Sequence, residues 1–315
     1  MPNIHIVNEY DPLKTVVLGI ADKLYFPGTH DIEMEDESAW WKKLLNVLIY
    51  RNLERKRVPS FLEKKFQKEL RNFEQVLKTQ GIEVIHLDEV VPLENESSGL
   101  GQMYARDAVF CVGENMIAGN LQIEMRKKER RGFESIFSKY DDGTHVQKLD
   151  PQGSAFLEGG DVMVDYPYVY VGIGKYASNM EGAEWLQKFL GSEVKVVPVH
   201  LKNEGILHLD CCMTIIGEKT GIIHRPSLED PLPYPLNTYD FIEVDSKVRH
   251  EMGTNVLVLA PDQVVVQKRH KDLQKELQDR GYEVFPLDFT WHTRLDGAFR
   301  CATCPVVREN TPKQK

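Results

Sequence analysis

A unit of about fifty residues recurs along this chain, and the repetition constrains the fold more than any other feature of the sequence. Each copy reads as a short apolar strand, a hairpin turn, a second strand, a helix and a third strand. The copies begin near Asp107, Asp161, Asp210 and Asn255. Repeats of this length form arrays in which each unit buries a face on its neighbours.

Apolar periodicity predicts the elements of each copy. Hairpins are predicted at 108–118, 162–172, 212–223 and 256–266, helices at about 125–137, 180–190 and 270–280, and third strands at 145–149, 194–199, 241–244 and 283–287. The third copy has a Pro-rich stretch, 226–235, where its helix should be.

The first ninety or so residues supply a fifth unit. A buried strand is predicted at 14–19, an amphipathic helix at 61–80 that stops at Gly81, and a strand at 82–87. The first of these strands is expected to pair with Val306-Val307 near the chain end. Because helices accompany the strands, we expect a closed α/β ring. No linker interrupts the series, so 1–315 is taken as one domain with an insertion at about 20–60.

Composition excludes several classes of function. The net charge of −9 argues against nucleic acid or an anionic membrane as a partner and is compatible with a cationic small molecule. Five cysteines, two of them adjacent, argue against a disulfide framework. The opening residues lack the pattern of a signal peptide, and no apolar run reaches the ~20 residues of a membrane span. We therefore expect a cytoplasmic protein.

Polar residues precede the predicted first strand of every unit. Arranged round an axis, equivalent positions converge at one end of the ring, so we expect a site there made of Asp107, Glu158, His208, Asp210 and Cys301. The pair Thr254-Asn255 precedes its strand in the same way. Taken singly, each residue could have a purely structural role, as part of a surface ion pair, a glycine turn, a core histidine or a buried thiol.

Cys301 lies on a turn of small residues just before the closing strand, where a rigid scaffold can hold a nucleophile. With Cys304 it forms a C-x-x-C pair, which is also compatible with a redox pair or half a zinc site. A zinc site would need a second such pair or suitably spaced histidines, and the sequence has neither. We therefore expect no metal and no cofactor.

Three carboxylates and a histidine around a thiol favour a planar cation such as guanidinium, whose N–H groups fit carboxylates bidentately. The competent nucleophile is the thiolate. The carboxylates would raise the thiol pKa, and a bound cation would offset that penalty. Substrate binding would then activate Cys301.

Five motifs spread over almost the whole chain carry a family resemblance: 8–13 (NEYDPL), 103–107 (MYARD), 158–161 (EGGD), 208–210 (HLD) and 300–305 (RCATCP). The chain resembles the guanidino-group modifying enzymes, which include arginine deiminases, dimethylarginine hydrolases and arginine-dependent amidinotransferases. The resemblance implies a five-bladed α/β propeller of ββαβ units, the pentein type.

The resemblance also implies roles. Cys301 would attack the guanidinium carbon and form an amidino-cysteine intermediate. Asp107 and Asp210 would hold the guanidinium nitrogens, and His208, oriented by Glu158, would act as general acid and base. Water as second nucleophile makes a hydrolase, whereas an amine makes an amidinotransferase.

Features of the chain point both ways. The Glu158 motif resembles the hydrolases, while the opening 9–13 and the segment 184–186 resemble the transferases. Arg225 matches a transferase arginine that holds the substrate carboxylate. Lys175 stands where arginine deiminases carry such an arginine, which puts free arginine in question. We favour a hydrolase of arginine-like compounds, with an amidinotransferase as the alternative and a non-catalytic binding propeller as the third reading. The sequence does not determine whether the protein forms a homo-oligomer. The acidic segment 30–45 is compatible with a lid over the site or with a solvated loop.

Overall fold

Strands in groups of three build the architecture. The computed structural model describes residues 3–26, 53, 56–96, 99–202 and 205–310. Within these ranges the strands form five three-stranded sheets, one for each expected unit. Most of the predicted insertion at 20–60, including the acidic segment 30–45, lies outside the described residues.

The five sheets share one topology, in which the middle strand is antiparallel to one neighbour and parallel to the other. Numbered in chain order, the strands are β1 (Leu13–Leu18), β2 (Glu83–His86), β3 (Val109–Val112), β4 (Asn115–Ala118), β5 (Val146–Lys148), β6 (Val162–Asp165), β7 (Tyr168–Ile173), β8 (Lys195–His200), β9 (Met213–Gly217), β10 (Thr220–Ile223), β11 (Asp240–Glu243), β12 (Leu257–Ala260), β13 (Gln263–Gln267), β14 (Glu283–Leu287) and β15 (Thr303–Arg308). The parallel pair in each sheet requires a crossover, which the helical segments supply.

The chain ends join in one sheet. Strand β15 pairs antiparallel with β1, and Val17 lies opposite Cys304. Strand β2 then pairs parallel with β1 on its other side. The predicted pairing of the first strand with the closing strand is therefore confirmed. It fixes the turn that carries Cys301 at the start of β15.

The α-helices are α1 (Ser60–Thr79), α2 (Ala105–Ala108), α3 (Glu134–Tyr140), α4 (Met180–Leu190), α5 (Ser246–His250) and α6 (Lys271–Asp279). In α1 the apolar residues Phe66, Leu70, Phe73 and Leu77 recur at helical spacing and are buried. The helix ends before Gly81, whose φ of +75° favours glycine. Among the described helices, none combines the length and the apolar character that a membrane crossing needs.

The helix predicted at about 125–137 is present, but most of it is not an α-helix. The segment is a 3₁₀ helix at Glu124–Phe133, and only then does α3 begin. A 3₁₀ helix has three residues per turn, so residues three apart share a face. Arg126 and Glu129 lie three apart, are both buried and form an ion pair. The 3₁₀ winding therefore places these two paired charges on the same buried face.

The third repeat is irregular where the sequence predicted an interruption. Two short 3₁₀ turns, Arg225–Ser227 and Leu236–Thr238, replace its helix, and β11 follows. The N-terminal segment crosses three sheets through isolated bridges from His5 to Val307, Ile6 to Gly113 and Asn8 to Asp165. That path carries Glu9 into the interior.

Candidate active site

Five of the six predicted site residues lie just ahead of the first strand of their repeats. Asp107 and Cys301 each lie two residues before a strand, and Asp210 lies three before. Equivalent positions in a ring of repeats face the same end, as expected. The structure brings together Asp107, Glu158, His208, Asp210 and Cys301, each at most 2% exposed. We name this group the acidic mouth.

Glu158 fixes the orientation of His208. His208 Nε2 lies 2.8 Å from Glu158 Oε2, and Glu158 Oε1 accepts a hydrogen bond from the backbone N–H of Gln122. The other ring nitrogen, Nδ1, lies 3.8 Å from Asp107 Oδ1. Burial opposes protonation of His208, but Asp107 and Glu158 outweigh burial and raise its pKa well above the usual value. The imidazolium form is therefore favoured.

Asp107 has one oxygen engaged and one open. Its Oδ2 accepts a hydrogen bond of 2.8 Å from Arg126 Nη1, and Arg126 also pairs with Glu129. Asp107 Oδ1 is buried with no hydrogen-bond partner in the described part of the chain. Burial alone would raise the pKa of Asp107, but His208 and Arg126 hold it below its usual value. Asp107 is thus a carboxylate with a lone pair available to a ligand.

Asp210 lies between the thiol and a buried arginine. Cys301 Sγ is 3.5 Å from Asp210 Oδ2 and 3.6 Å from Oδ1, while Arg300 Nη1 donates to Oδ2 at 2.9 Å. Burial, Asp210 and Asp107 raise the pKa of the Cys301 thiol well above its ordinary value, and His208 opposes them more weakly. Without a ligand, Cys301 is therefore a thiol that donates to Asp210.

A layer of arginines lies beneath the acidic mouth. Arg300 binds Glu9 through Nη2 at 3.1 Å, and the charges of Arg106 and Arg308 also act on Glu9. Burial raises the pKa of Glu9, but these cations outweigh burial and lower it to about 2. Burial lowers the pKa of Arg308 to about 10. We name Arg106, Arg300, Arg308 and Glu9 the arginine layer.

Gly160 lets the backbone pass close to the site. A Cβ placed on Gly160 would lie 2.6 Å from His208 Cγ and 2.8 Å from Asp107 Oδ1. Asp161, which follows it, accepts the backbone N–H of Leu209 at 2.8 Å and so holds the turn after His208. Gly160 and Asp161 of the 158–161 motif thus hold the backbone close around His208.

One set of potential metal ligands occurs among the described residues. Donor atoms of His208, Asp210 and Cys211 lie within 4.8 Å of one another. His208 Nε2 is engaged by Glu158 and Asp210 by Arg300, so protein groups already balance the charges of this set. We assign no metal to it.

Arg225 is the predicted site residue that the structure does not connect to the others. It is half-buried on the turn Arg225–Ser227. Within the described ranges, no hydrogen bond or ion pair joins its side chain to the acidic mouth. Two other residues of the site were not assigned from the sequence. Arg126 gave no signal beyond a basic run, whereas Asn255 occupies a repeat position equivalent to those of Asp107 and Cys301.

Known proteins share this fold. The structure superposes on the inosamine-phosphate amidinotransferase of Streptomyces griseus with a TM-score of 0.81 at 20% identity, covering 98% of this chain and 97% of that one. It superposes on the DDAH of Pseudomonas aeruginosa in complex with citrulline with a TM-score of 0.67 at 15% identity, covering 93% and 99%. Together with the five sheets, these matches confirm the predicted five-repeat α/β propeller.

Sequence comparison identifies the family. The model of eukaryotic N,N dimethylarginine dimethylhydrolases (DDAH) matches residues 52–308. The uncharacterized protein YkgA of Bacillus subtilis (strain 168) is 31% identical over 225 residues, which cover 71% of this chain and 76% of that protein. Fold and relatives place the protein among the guanidino-group modifying enzymes. Within them, the chain belongs to the N,N dimethylarginine dimethylhydrolase family.

Proposed function

We propose that the protein is a cysteine-dependent hydrolase of the deiminase type, which acts on the guanidinium group of arginine or an arginine-like compound. The observation that carries the proposal is the buried thiol of Cys301, which lies 3.5 Å from Asp210 and within electrostatic range of His208, the imidazole that Glu158 orients. A nucleophile, a general acid–base and its orienting carboxylate are the parts that covalent catalysis at a C–N bond needs.

Substrate binding would use both aspartates of the acidic mouth. A guanidinium is planar and presents paired N–H donors, which match carboxylate oxygens on either side of it. Asp107 Oδ1 has no hydrogen-bond partner among the described residues, so it can accept a substrate N–H without breaking an existing hydrogen bond. Asp210 can exchange its contact with the Cys301 thiol for a contact with the cation.

The same exchange would activate the nucleophile. Burial and two carboxylates keep Cys301 protonated in the empty site. A guanidinium bound between Asp107 and Asp210 brings a positive charge next to the sulfur and removes most of the penalty on the thiolate, so the thiol releases its proton to solvent. The carboxylates that suppress the thiolate in the free enzyme therefore make its formation depend on the substrate.

His208 would transfer protons through Nδ1, because Glu158 engages Nε2. As the sulfur attacks the guanidinium carbon, a C–S bond forms. The imidazolium then gives its proton to the departing nitrogen, and the C–N bond breaks. The neutral imidazole next takes a proton from water, whose oxygen attacks the amidino carbon. The C–S bond then breaks, the second proton of the former water molecule passes to solvent, a neutral ureido product leaves and the thiolate returns.

The amidinotransferase alternative rests on shape. The structure matches an amidinotransferase over nearly the full length of both chains with a TM-score of 0.81, against 0.67 for the bacterial DDAH. In that reaction an acceptor amine replaces water. Arg225 would hold the substrate carboxylate, a role compatible with its half-buried side chain. Family membership and the Glu158 motif support hydrolysis.

One experiment separates the readings. The purified protein is incubated with arginine, agmatine and methylated arginines, with and without glycine or ornithine, and products are identified by mass spectrometry. Hydrolysis releases ammonia or an amine together with a ureido product, whereas transfer yields an amidino-amine. Acid quenching should reveal a substrate-derived mass on the peptide that contains Cys301. Absence of both turnover and adduct with every substrate would favour the binding-only reading.

A further inference from the structure

Asn255 is the member of the ring of repeat positions that the proposed chemistry leaves without a role. It lies two residues before β12, just as Asp107 precedes β3 and Cys301 precedes β15. Its side chain is fully buried, and it faces the group that the proposed function makes the nucleophile. The position therefore belongs to the site by geometry, although its residue is neither acid nor base.

The Asn255 carboxamide joins three segments by four hydrogen bonds. Its Oδ1 accepts the backbone N–H groups of Cys301 at 3.1 Å and Ala298 at 3.2 Å. Its Nδ2 lies 3.0 Å from Cys301 Sγ and 3.2 Å from the carbonyl oxygen of Asp210. All the principal hydrogen-bonding capacity of the amide is used inside the site.

These partners determine which way the amide points. Two backbone N–H groups can only donate, so the atom that faces them must be the carbonyl oxygen. The Asp210 carbonyl can only accept, so the atom that faces it must be the NH₂ group. One N–H of that group is bonded to Asp210, and the other is directed at Cys301 Sγ. The arrangement at the sulfur is thus fixed by backbone groups and is independent of the state of the thiol.

A hydrogen-bond donor at this distance stabilises the thiolate more than the neutral thiol. A hydrogen bond to a charged group is about twice as strong as a hydrogen bond between neutral groups. A neutral thiol accepts weakly, whereas the thiolate accepts strongly. An aspartate here would add a third carboxylate near the sulfur, and an apolar residue would leave the charge without a donor.

We propose that Asn255 is the hydrogen-bond donor that stabilises the Cys301 thiolate, as a neutral counterpart to the carboxylates of the acidic mouth. The inference rests on the proposed function insofar as Cys301 is taken as the nucleophile. When the substrate draws Asp210 away from the sulfur, the Asn255 N–H stays in place, because its partner on the other side is a backbone carbonyl. The thiolate then retains a fixed donor throughout the reaction.

Several charged or titratable groups face the same sulfur and must be held constant. They are Asp210, Asp107, Cys211, His208 and Tyr104. None of them is altered in the variants Asn255→Ala and Asn255→Ser. The matched control is Thr254→Val, since Thr254 Oγ1 binds the same Asp210 carbonyl at 3.4 Å and is equally buried but does not reach the sulfur.

The experiment follows carbamidomethylation of Cys301 by iodoacetamide across a pH range, quantified by peptide mass spectrometry. We expect the pH midpoint of the reaction to rise by about one to two units in both Asn255 variants, the worth of one charge-assisted hydrogen bond. Thr254→Val should keep the wild-type midpoint. No guanidino substrate is involved, so the result stands whether or not turnover of such substrates is detected.

The direction of the shift separates this role from a merely structural one. If Asn255 only anchored the turn, its loss would admit water to Cys301 and lower a midpoint that burial has raised. A lowered or unchanged midpoint in Asn255→Ala would therefore overturn the proposal. Asn255→Ser retains a hydroxyl near the turn and provides the same readout if the alanine variant does not fold.

Discussion

The acidic mouth and the arginine layer are built from neighbouring residues but have opposite chemistry. Asp107 follows Arg106, and Cys301 follows Arg300, yet one member of each pair faces the mouth and the other the layer below. The mouth gathers carboxylates around a thiol. The layer gathers three guanidinium groups around Glu9.

The two regions meet at Asp210, which receives Cys301 on one side and Arg300 on the other. A buried carboxylate needs a counter-charge or hydrogen bonds, since the desolvation cost of an unpaired ion is several kcal/mol. Arg300 gives Asp210 that partner and leaves its outer face available. Under the proposed function the two regions divide the work: the acidic mouth would carry out the chemistry, and the arginine layer supplies a positive charge that pairs with Asp210.

The largest effect on turnover should come from Cys301→Ser, which changes the acidic mouth and leaves the arginine layer intact. Turnover of the substrate found in the product screen should fall by at least about 10³-fold, because the covalent route is lost. The urea midpoint of unfolding should stay close to that of the wild type. Cys304→Ala, a change of the other cysteine in the pair, should retain turnover. Equal loss in both variants would contradict the assignment of the nucleophile.

Arg300→Met tests the layer, and its main effect should be on stability. Removal of the guanidinium leaves Glu9 and Asp210 buried without their main partner, so the free energy of unfolding should fall by about 3–5 kcal/mol in urea titrations. The double variant Glu9→Gln with Arg300→Met should lose less than the sum of the single losses. Additive losses would argue against a shared network.

Acid should weaken the layer through Glu9. Its pKa is lowered from 4.5 to about 2, so its stabilising contribution is complete above pH 4.5 and is lost as the pH falls through about 2. The advantage of the wild type over Glu9→Gln should therefore shrink by roughly 3 kcal/mol between those limits. Urea unfolding measured at several pH values checks this. A difference that does not vary with pH would refute the ion-pair account.

Gly160→Ala should displace the mouth without changing its charge. The added methyl group would overlap His208 and Asp107, and a misplacement of this kind costs about 10²-fold in turnover. Gly153→Ala is the matched control, since its Cβ would lie at an ordinary 3.4 Å from the carbonyl oxygen of Asp150. Steady-state kinetics of both variants decide the matter. Similar rates would mean that the close approach at Gly160 is not required.

The smallest effect is expected for Lys275→Ala. Lys275 and Asp279 form an ion pair on α6 whose side chains are 74% and 58% exposed. Water solvates both charges well, so their loss should leave turnover and the unfolding midpoint unchanged within error. A marked loss of turnover or of the unfolding midpoint would show that an exposed ion pair contributes as much as the buried pairs of the arginine layer, contrary to this prediction.

Much of the fold followed from local patterns. Alternating apolar residues predicted the hairpins, helical spacing predicted α1, α4 and α6, and the repeat length predicted the number of units. These signals are local, because a strand or an amphipathic helix is written in consecutive residues. The helix at Glu124–Phe133 was predicted, but its 3₁₀ winding was not. The contact of its Arg126 with Asp107, nineteen positions earlier, also has no local signal in the sequence.

The sequence by itself determined the ring and the positions that face its mouth, since a polar residue ahead of each first strand is visible in the repeat. Tertiary structure alone decided how those positions are used. Glu9 and Arg300 pair across 291 positions, and the orientation of the Asn255 amide depends on backbone groups of two other segments. In the part of the chain that the structure describes, no hydrogen bond or ion pair links Arg225 to the acidic mouth. The repeat specifies the backbone position of each site residue. The partners of buried charges and hydrogen-bond donors are distant in sequence, and only closure of the ring brings them into contact.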